Sequence, residues 1–130
     1  MVKWSEDGNY LYTSYSEKKE WSNEEAMVKA MEWQEQHPIY ALAPTDWTNG
    51  AYYVGVTKAF QTTKDQRYLA ALKTMGYRNE WKPLYRTHHA DDIAISYSYL
   101  FINTTRKNLV DLKPTKNWLD EHLFQPTEWN

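Results

Sequence analysis

Arg86-Thr-His-His-Ala-Asp-Asp92 stands directly before an apolar helical run, and Asp46-Trp-Thr-Asn-Gly50 stands before another one earlier in the chain. Both stretches therefore place carboxylates, rings and amides at the start of a helix. A carboxylate at such a start is stabilised by free backbone N–H groups and by the helix dipole. Two starts of this kind that face one cavity would form a polar, ring-lined site on a helical scaffold.

Apolar residues at helical spacing predict five helices joined by short and long connectors, with no convincing strand. Their predicted bounds are Ser22-Asn-Glu-Glu25 to His37-Pro38 for the first, Asp46 or Thr48 as the cap of the second, Lys64-Asp65 to Gly76 for the third, Asp91 or Asp92 as the start of the fourth, and Asn117 to Phe124 for the fifth. Residues 1–20 are predicted to be loop or a short extended piece. This order indicates helical hairpins whose longer loops, at 38–48 and 77–91, carry the polar residues.

Two glycines mark the second helix, whose apolar stripe includes Tyr52, Val56 and Phe60. Gly50 and Gly55 lie at small-residue spacing on this helix. A residue without a Cβ lets another backbone or a ligand come close. We therefore expect close approach of a neighbouring helix or a ligand at both positions.

Length, charge and cysteine content exclude several classes of function. A chain of 130 residues fits one domain. The formal charge of −2 comes without any basic stripe, so nucleic acid is not an expected partner. Without cysteine there is no disulfide, thiolate nucleophile or Cys-ligated zinc. No apolar run has membrane-spanning length, so we expect a soluble protein with no membrane partner. Its compartment stays open: cytoplasmic, or periplasmic or secreted if a signal peptide was removed.

Tyr and Trp are unusually frequent, with 11 Tyr and 7 Trp against 3 Phe. These side chains join a large apolar face to one hydrogen-bonding atom, which suits the faces of sugar rings. The simpler interpretation is that they fill a small core. Trp47 is the best candidate for stacking on a ring, although a Trp near a helix start is more often part of the core.

The acidic pair Asp91-Asp92 is the main candidate for chemistry. Adjacent residues of a helix point about 100° apart, so only one of the two can aim into a cavity. The other is then expected to cap the helix or to pair with Arg86, His88 or His89. Capping alone would explain one Asp, but it does not explain why two Asp and two His stand together.

Other kinds of site find less support in the sequence. His and Asp are metal ligands, but neighbouring histidines do not converge easily on one ion, and the His pair of a zincin helix is absent. We therefore predict no metal. There is no Gly-x-Ser-x-Gly elbow for a serine nucleophile. With 4 Gly scattered along the chain there is no phosphate-binding loop, and no cofactor is predicted.

The order of motifs resembles the unsaturated glucuronyl and rhamnogalacturonyl hydrolases, which are glycoside hydrolase families 88 and 105. The motifs that carry the resemblance are Asp46-Trp-Thr-Asn-Gly-Ala-Tyr-Tyr-Val-Gly-Val56, Thr62-Thr-Lys-Asp-Gln-Arg-Tyr-Leu69, Trp81-Lys82 and Arg86-Thr-His-His-Ala-Asp-Asp92. The resemblance implies an all-α fold of helical hairpins that form part of an (α/α)6 barrel. It also implies an oligosaccharide substrate that ends in an unsaturated uronic acid.

The resemblance also assigns roles to the residues of the site. It implies a reaction that protonates the C4=C5 double bond and adds water at C5, rather than direct attack at the anomeric carbon. Asp91 and Asp92 are the candidate catalytic residues, without a choice between them. The candidate substrate-binding residues are Trp47, Asp46, His89, His88 and Arg86.

The second essential Asp of the family belongs to a later Trp-Asp-Ala-Leu-Phe-like motif, which nothing in residues 106–130 matches. We therefore predict that residues 1–130 are a single partial barrel domain, the N-terminal part of a longer catalytic domain. Exposed helix faces of such a part predict self-association. The alternative function is a non-catalytic helical module that binds carbohydrate or another partner.

Overall fold

The computed structural model describes residues 2–4, 6, 8, 10–13, 20–39, 43–86 and 89–123. The elements in chain order are the strands β1 (Val2–Trp4), β2 (Tyr10–Thr13) and β3 (Glu20–Ser22), the helices α1 (Asn23–Gln36), α2 (Trp47–Thr63) and α3 (Gln66–Arg78), a 3-10 turn (Ala90–Ile93), and the helices α4 (Ser96–Thr105) and α5 (Lys113–Leu123). Helices make up most of the described chain, which confirms the expected fold class. Backbone contacts divide the chain into two compact units, residues 1–38 and 39–130. Within the described part, no helix has both the length and the apolar character needed to span a bilayer.

The first unit contains an antiparallel sheet in the order β1-β2-β3. Leu11 of β2 is paired with Trp4 of β1 on one side and with Trp21 of β3 on the other. The prediction that the chain has no convincing strand is therefore wrong here, although β2 does lie in the region expected to be loop or extended. These strands have only 3 or 4 residues. Alternation is recognised over 4 to 8 residues, so β1 and β3 are too short to show it and β2 is at the lower limit.

Helix α1 begins where the sequence predicts it to begin. Ser22 is the N-cap, and its hydroxyl oxygen accepts a hydrogen bond from the backbone N–H of Glu25 at 3.2 Å. The helix contacts β2 and β3 and buries Val28 and Met31. It ends at Gln36, next to the predicted end, so its bounds are confirmed.

The second unit is built around α2, which packs against both α3 and α4. Asp46, one of the two predicted caps, caps α2, and Asp65 caps α3 at the place where the sequence predicts that helix to begin. Between these helices Lys64 adopts a left-handed conformation with φ 60°, which ends α2. The buried apolar side chains of α2, α3, α4 and the chain between α3 and α4 are Tyr53, Val56, Tyr68, Leu69, Leu72, Met75, Trp81, Ile95, Tyr99 and Ile102.

The two glycines of α2 differ in what surrounds them. A Cβ placed on Gly50 would lie 2.9 Å from the Cβ of Ala94 and 3.1 Å from the backbone N of Ile95. The expected close approach is therefore present at Gly50, where α2 meets the segment between the 3-10 turn and α4. A Cβ on Gly55 would meet nothing within 4 Å among the described residues, so the close approach of a neighbouring helix is not found at that position.

Gly76 does not follow the end of α3, as predicted, but lies inside the helix, which continues to Arg78. A Cβ at this position would lie 2.0 Å from the ring of Trp81. The chain turns back after α3 with positive φ at Glu80 and Trp81, which brings the indole over the helix. Gly76 is thus required for packing rather than for ending the helix.

The fourth and fifth helices begin at other residues than predicted. Asp91 and Asp92 lie in the 3-10 turn, and α4 begins only at Ser96. The predicted start at the acidic pair is wrong because the Asp92 carboxylate is bonded to Arg86 rather than to the free N–H groups of a helix. Helix α5 begins at Lys113 rather than near Asn117 and ends at Leu123.

Candidate active site

Asp92 is fully buried and is held by Arg86 through both side chain and backbone. The guanidinium donates from Nη2 to Oδ1 at 2.7 Å and from Nε to Oδ1 at 3.1 Å. The backbone N–H of Arg86 donates to Oδ2 at 2.6 Å. Each carboxylate oxygen thus has a donor, which is the usual condition for keeping a charge inside a protein.

These contacts keep Asp92 ionised. Burial is the largest single influence and acts to raise the pKa of its carboxyl group. The hydrogen bonds from Arg86 and the charge of its guanidinium act in the opposite direction and together outweigh burial, so the pKa of Asp92 is lowered. A carboxyl group with this setting serves as a fixed anion and an acceptor, not as the source of a proton.

Asp46 is almost completely buried at the start of α2 and acts as its cap. Its Oδ1 accepts hydrogen bonds from the hydroxyl of Thr48 at 2.6 Å and from the backbone N–H of Asn49 at 3.1 Å. The side-chain amide of Asn49 also donates to this oxygen at 3.1 Å and lies 3.3 Å from the carbonyl of Ala43. Asn49 therefore fixes the loop before α2 to the first turn of the helix.

The carboxylates of both acidic stretches act on the charge of Arg86. The pKa of Arg86 is raised above its ordinary value, first by the hydrogen bonds from its side chain to Asp92 and further by the charges of Asp91 and Asp46. At Gly50 the first turn of α2 lies against Ala94 and Ile95, the residues that follow the 3-10 turn. The charges of Asp92, Asp91 and Asp46 thus all act on the Arg86 guanidinium, and Asp92 is the one that bonds to it.

Asp91 and Trp47 are the exposed residues among the candidates. Asp91 is exposed, in contrast to its buried neighbour Asp92, which agrees with the expectation that only one of the pair points inward. Trp47, the first residue of α2, has 53 % of its surface exposed. The expectation that a Trp at this place belongs to the core is wrong, and its indole is available for contact with a ring.

Of the two histidines next to the acidic pair, the structure describes His89. His89 is exposed at the cap position of the 3-10 turn, and its side chain makes no capping hydrogen bond. Its charge contributes to lowering the pKa of Asp92, after the contributions of Arg86. His88 lies outside the described residues. Among the residues that are described, no three His, Asp or Glu side chains are grouped as a metal ion would require.

Sequence reasoning missed the backbone link that places Arg86. The N–H of Leu84 donates to the carbonyl of Asp92 at 3.0 Å, two residues before the Arg86 N–H reaches the carboxylate of the same Asp. Leu84 carries no chemical group that would have drawn attention to it. Asn49 gave a weak signal, since an Asn three residues after a capping Asp can bond back to it.

Of the hydrogen bonds that Arg86 makes to the described residues, none uses Nη1. This nitrogen, the exposed Asp91 and the indole of Trp47 offer a donor, an acceptor and an apolar face. The hydroxyl groups of a sugar ring can use the donor and the acceptor, and the apolar face of the ring can stack on the indole.

Comparison with known proteins identifies the family. Residues 13–128 match Glycosyl Hydrolase Family 88. An unsaturated 3S-rhamnoglycuronyl hydrolase of Formosa agariphila is 58% identical over 108 residues, which are 82% of this chain and 29% of that protein. A protein of the same name from an Alteromonas species is 28% identical over 83 residues, or 63% of this chain and 20% of that protein. The chain spans less than a third of the length of these curated relatives. The resemblance found in the motifs is confirmed, and the chain belongs to glycosyl hydrolase family 88, whose fold is a six-hairpin helical barrel.

Proposed function

We propose that this chain supplies one half of the active site of a hydrolase that acts on oligosaccharides ending in an unsaturated uronic acid. The observation that carries the proposal is the buried Asp92 carboxylate, which Arg86 holds ionised. Asp91, its neighbour in sequence, and Trp47 are exposed. Membership of family 88 supports the glycosidase class. The names of both relatives favour an unsaturated rhamnoglycuronyl substrate over other unsaturated uronates.

In the proposed reaction the protein hydrates the substrate before any glycosidic bond breaks. A proton adds to C4, which leaves positive charge on C5 and the ring oxygen. Water adds to C5 and gives up a proton to a base, which produces a hemiketal. The bond between C5 and the ring oxygen then breaks, C5 becomes a ketone, and the hemiacetal left at C1 releases the next sugar.

The fixed charge of Asp92 suits one part of this sequence. Positive charge develops at C5 when C4 is protonated, and a preorganised anion nearby lowers the energy of that state without having to reorient. The lowered pKa of Asp92 makes it unsuitable as the acid that protonates C4. We assign the proton donor to a second carboxyl group, for which residues 106–130 offer no matching motif.

The exposed residues take the remaining roles in this proposal. Asp91 accepts hydrogen bonds from ring hydroxyl groups, and Trp47 stacks on an apolar ring face. For His89 and Asp46 we retain the prediction from the sequence that they contribute to substrate binding. Asp46 would do so through its charge and through its hold on α2, since its carboxylate is already engaged by Thr48 and Asn49.

The experiment is a turnover assay. The protein assayed contains residues 1–130 together with the rest of the family 88 domain. The C4=C5 double bond is conjugated with the carboxylate and absorbs ultraviolet light, so hydration is followed by the loss of that absorbance. An unsaturated rhamnoglycuronyl disaccharide should lose it, and its saturated counterpart should release no sugar. Binding of the unsaturated disaccharide without loss of absorbance would contradict the proposal and favour a carbohydrate-binding module.

A further inference from the structure

The segment that carries Arg86 is held from two sides by main-chain hydrogen bonds at Leu84. Its N–H donates to the carbonyl of Asp92 at 3.0 Å. Its carbonyl accepts the indole N–H of Trp118 at 3.1 Å. Trp118 lies in α5. A helix distant in sequence therefore bonds to Leu84, whose own bond to Asp92 places Arg86.

Two further contacts fix α5 at the same place. The hydroxyl of Tyr85 donates to the carbonyl of Pro114 at 2.8 Å. The hydroxyl of Thr115 donates to the Ser96 hydroxyl oxygen at 2.8 Å, and both residues are buried. The first of these bonds ties α5 to the Arg86 segment and the second ties it to the start of α4.

We propose that Trp118 is a positioning residue for the reaction: through Leu84 it holds the Arg86 segment in the place from which Arg86 grips the Asp92 carboxylate. This inference rests on the proposed function, since it gives Trp118 a role in catalysis only if Asp92 has one. Trp118 itself is remote in sequence from the acidic pair and contributes no charge.

The donor of the bond from Trp118 to Leu84 is buried. The side chain is 3% exposed, so a substitution that removes its N–H leaves the Leu84 carbonyl without its buried donor. The Arg86 backbone N–H, two residues on, makes its 2.6 Å bond to the carboxylate of Asp92 and depends on the register of this segment. Local opening at Leu84 therefore releases Arg86 as well.

Trp118→Phe is the variant that tests the proposal, because it keeps a ring and removes the N–H. Trp33→Phe is the matched control. Each Trp stacks on the His four residues later, with ring centroids 4.2 Å apart for Trp118 and 4.1 Å for Trp33. In both pairs the His Nδ1 contacts the Trp carbonyl. The control thus makes the same Trp-to-Phe change in the same kind of stack, in α1 instead of α5.

Amide hydrogen exchange gives a readout that needs no activity. In Trp118→Phe the amides of Leu84 and Arg86 should exchange about five- to tenfold faster, the factor expected for one lost hydrogen bond. The amide of Leu72, in the core of α3, reports global opening and should change less. Trp33→Phe should leave the exchange of Leu84 and Arg86 unchanged. An unchanged rate at Leu84 and Arg86 in Trp118→Phe, or an equal rise at Leu72, would overturn the proposal.

Kinetics then test the link to Asp92. Trp118→Phe should lower kcat more than it raises KM, and the acid limb of its pH profile should lie at higher pH, because a looser Arg86 lets the pKa of Asp92 rise. Tyr85→Phe removes the exposed link to Pro114 and should act in the same direction to a smaller extent, which keeps the test usable if Trp118→Phe folds poorly. An acid limb that stays in place in both variants counts against the proposal.

Asp92→Asn separates failure of this inference from failure of the proposed function. If Asp92→Asn abolishes turnover while Trp118→Phe and Tyr85→Phe turn over as the parent does, the positioning role of Trp118 is wrong and the proposed function stands. If Asp92→Asn itself keeps full turnover, the proposed function is wrong, and with it the catalytic role of Trp118.

Discussion

Replacing Gly50 by alanine should destabilise the protein, whereas the same replacement at Gly55 should stabilise it. Carbon atoms in ordinary contact lie about 3.5–4.0 Å apart. The new methyl at Gly50 would lie 2.9 Å from the Cβ of Ala94 and 3.1 Å from its carbonyl carbon. Backbone and a Cβ cannot rotate away, so α2 and the segment after the 3-10 turn must separate.

The size of the effect follows from two opposing contributions. Overpacking of this kind costs about 1–3 kcal/mol. Alanine returns up to about 1 kcal/mol over glycine in a helix. The net loss at Gly50 should therefore be about 1 kcal/mol. At Gly55 a methyl meets nothing within 4 Å, so only the gain of about 0.5–1 kcal/mol remains.

Urea denaturation followed by circular dichroism measures both variants against the parent. The midpoints should move in opposite directions, with an unchanged slope if only the folded state is affected. Gly50→Ala should also lower turnover, since it moves the start of α2 away from the 3-10 turn. A Gly50→Ala protein at least as stable as the parent would refute the close contact between these two segments.

Three further substitutions have defined outcomes. Asp92→Asn should lower the free energy of unfolding by about 2 kcal/mol at neutral pH, because Arg86 loses its charged partner. The pKa of Asp92 is lowered in the folded state, so this difference should be fully present above the unfolded value of about 4 and be lost as pH falls from there through the lower folded-state pKa, which denaturation at several pH values will show. Asp91→Asn, at an exposed position, should change stability by less than about 0.5 kcal/mol and still lower turnover, and an unaffected rate would remove Asp91 from the site. Gly76→Ala should cost about 3 kcal/mol or more because its methyl would overlap the ring of Trp81, and a melting temperature equal to that of the parent would contradict this packing.

Local signals in the sequence predicted most helix starts correctly. Ser22, Asp46 and Asp65 each stand before a helix and bond to its first turn, which depends only on residues two or three positions away. The start of α4 was predicted wrongly because Asp92 bonds to Arg86, six residues earlier. A carboxylate with such a partner no longer serves as a cap.

The pairing of one Asp of the doublet with Arg86 was among the pairings that the sequence predicted, but which Asp makes it was not predictable. The sequence singled out Asp91, Asp92, Arg86 and Trp47 together. It did not separate the buried Asp from the exposed one, because adjacent residues carry the same local signals and differ only in their tertiary partners. The hold of Trp118 on the Arg86 segment spans 34 positions between Trp118 and Leu84 and leaves no local pattern.

The most direct test of the account measures turnover of an unsaturated rhamnoglycuronyl disaccharide by the parent and by Asp92→Asn. The comparison is made at a pH and temperature where circular dichroism shows both proteins folded. Loss of a group that stabilises charge in the transition state should slow the reaction on the order of a hundredfold or more. Loss of ultraviolet absorbance by Asp92→Asn at the rate of the parent would contradict the claim that the carboxylate held by Arg86 takes part in the reaction.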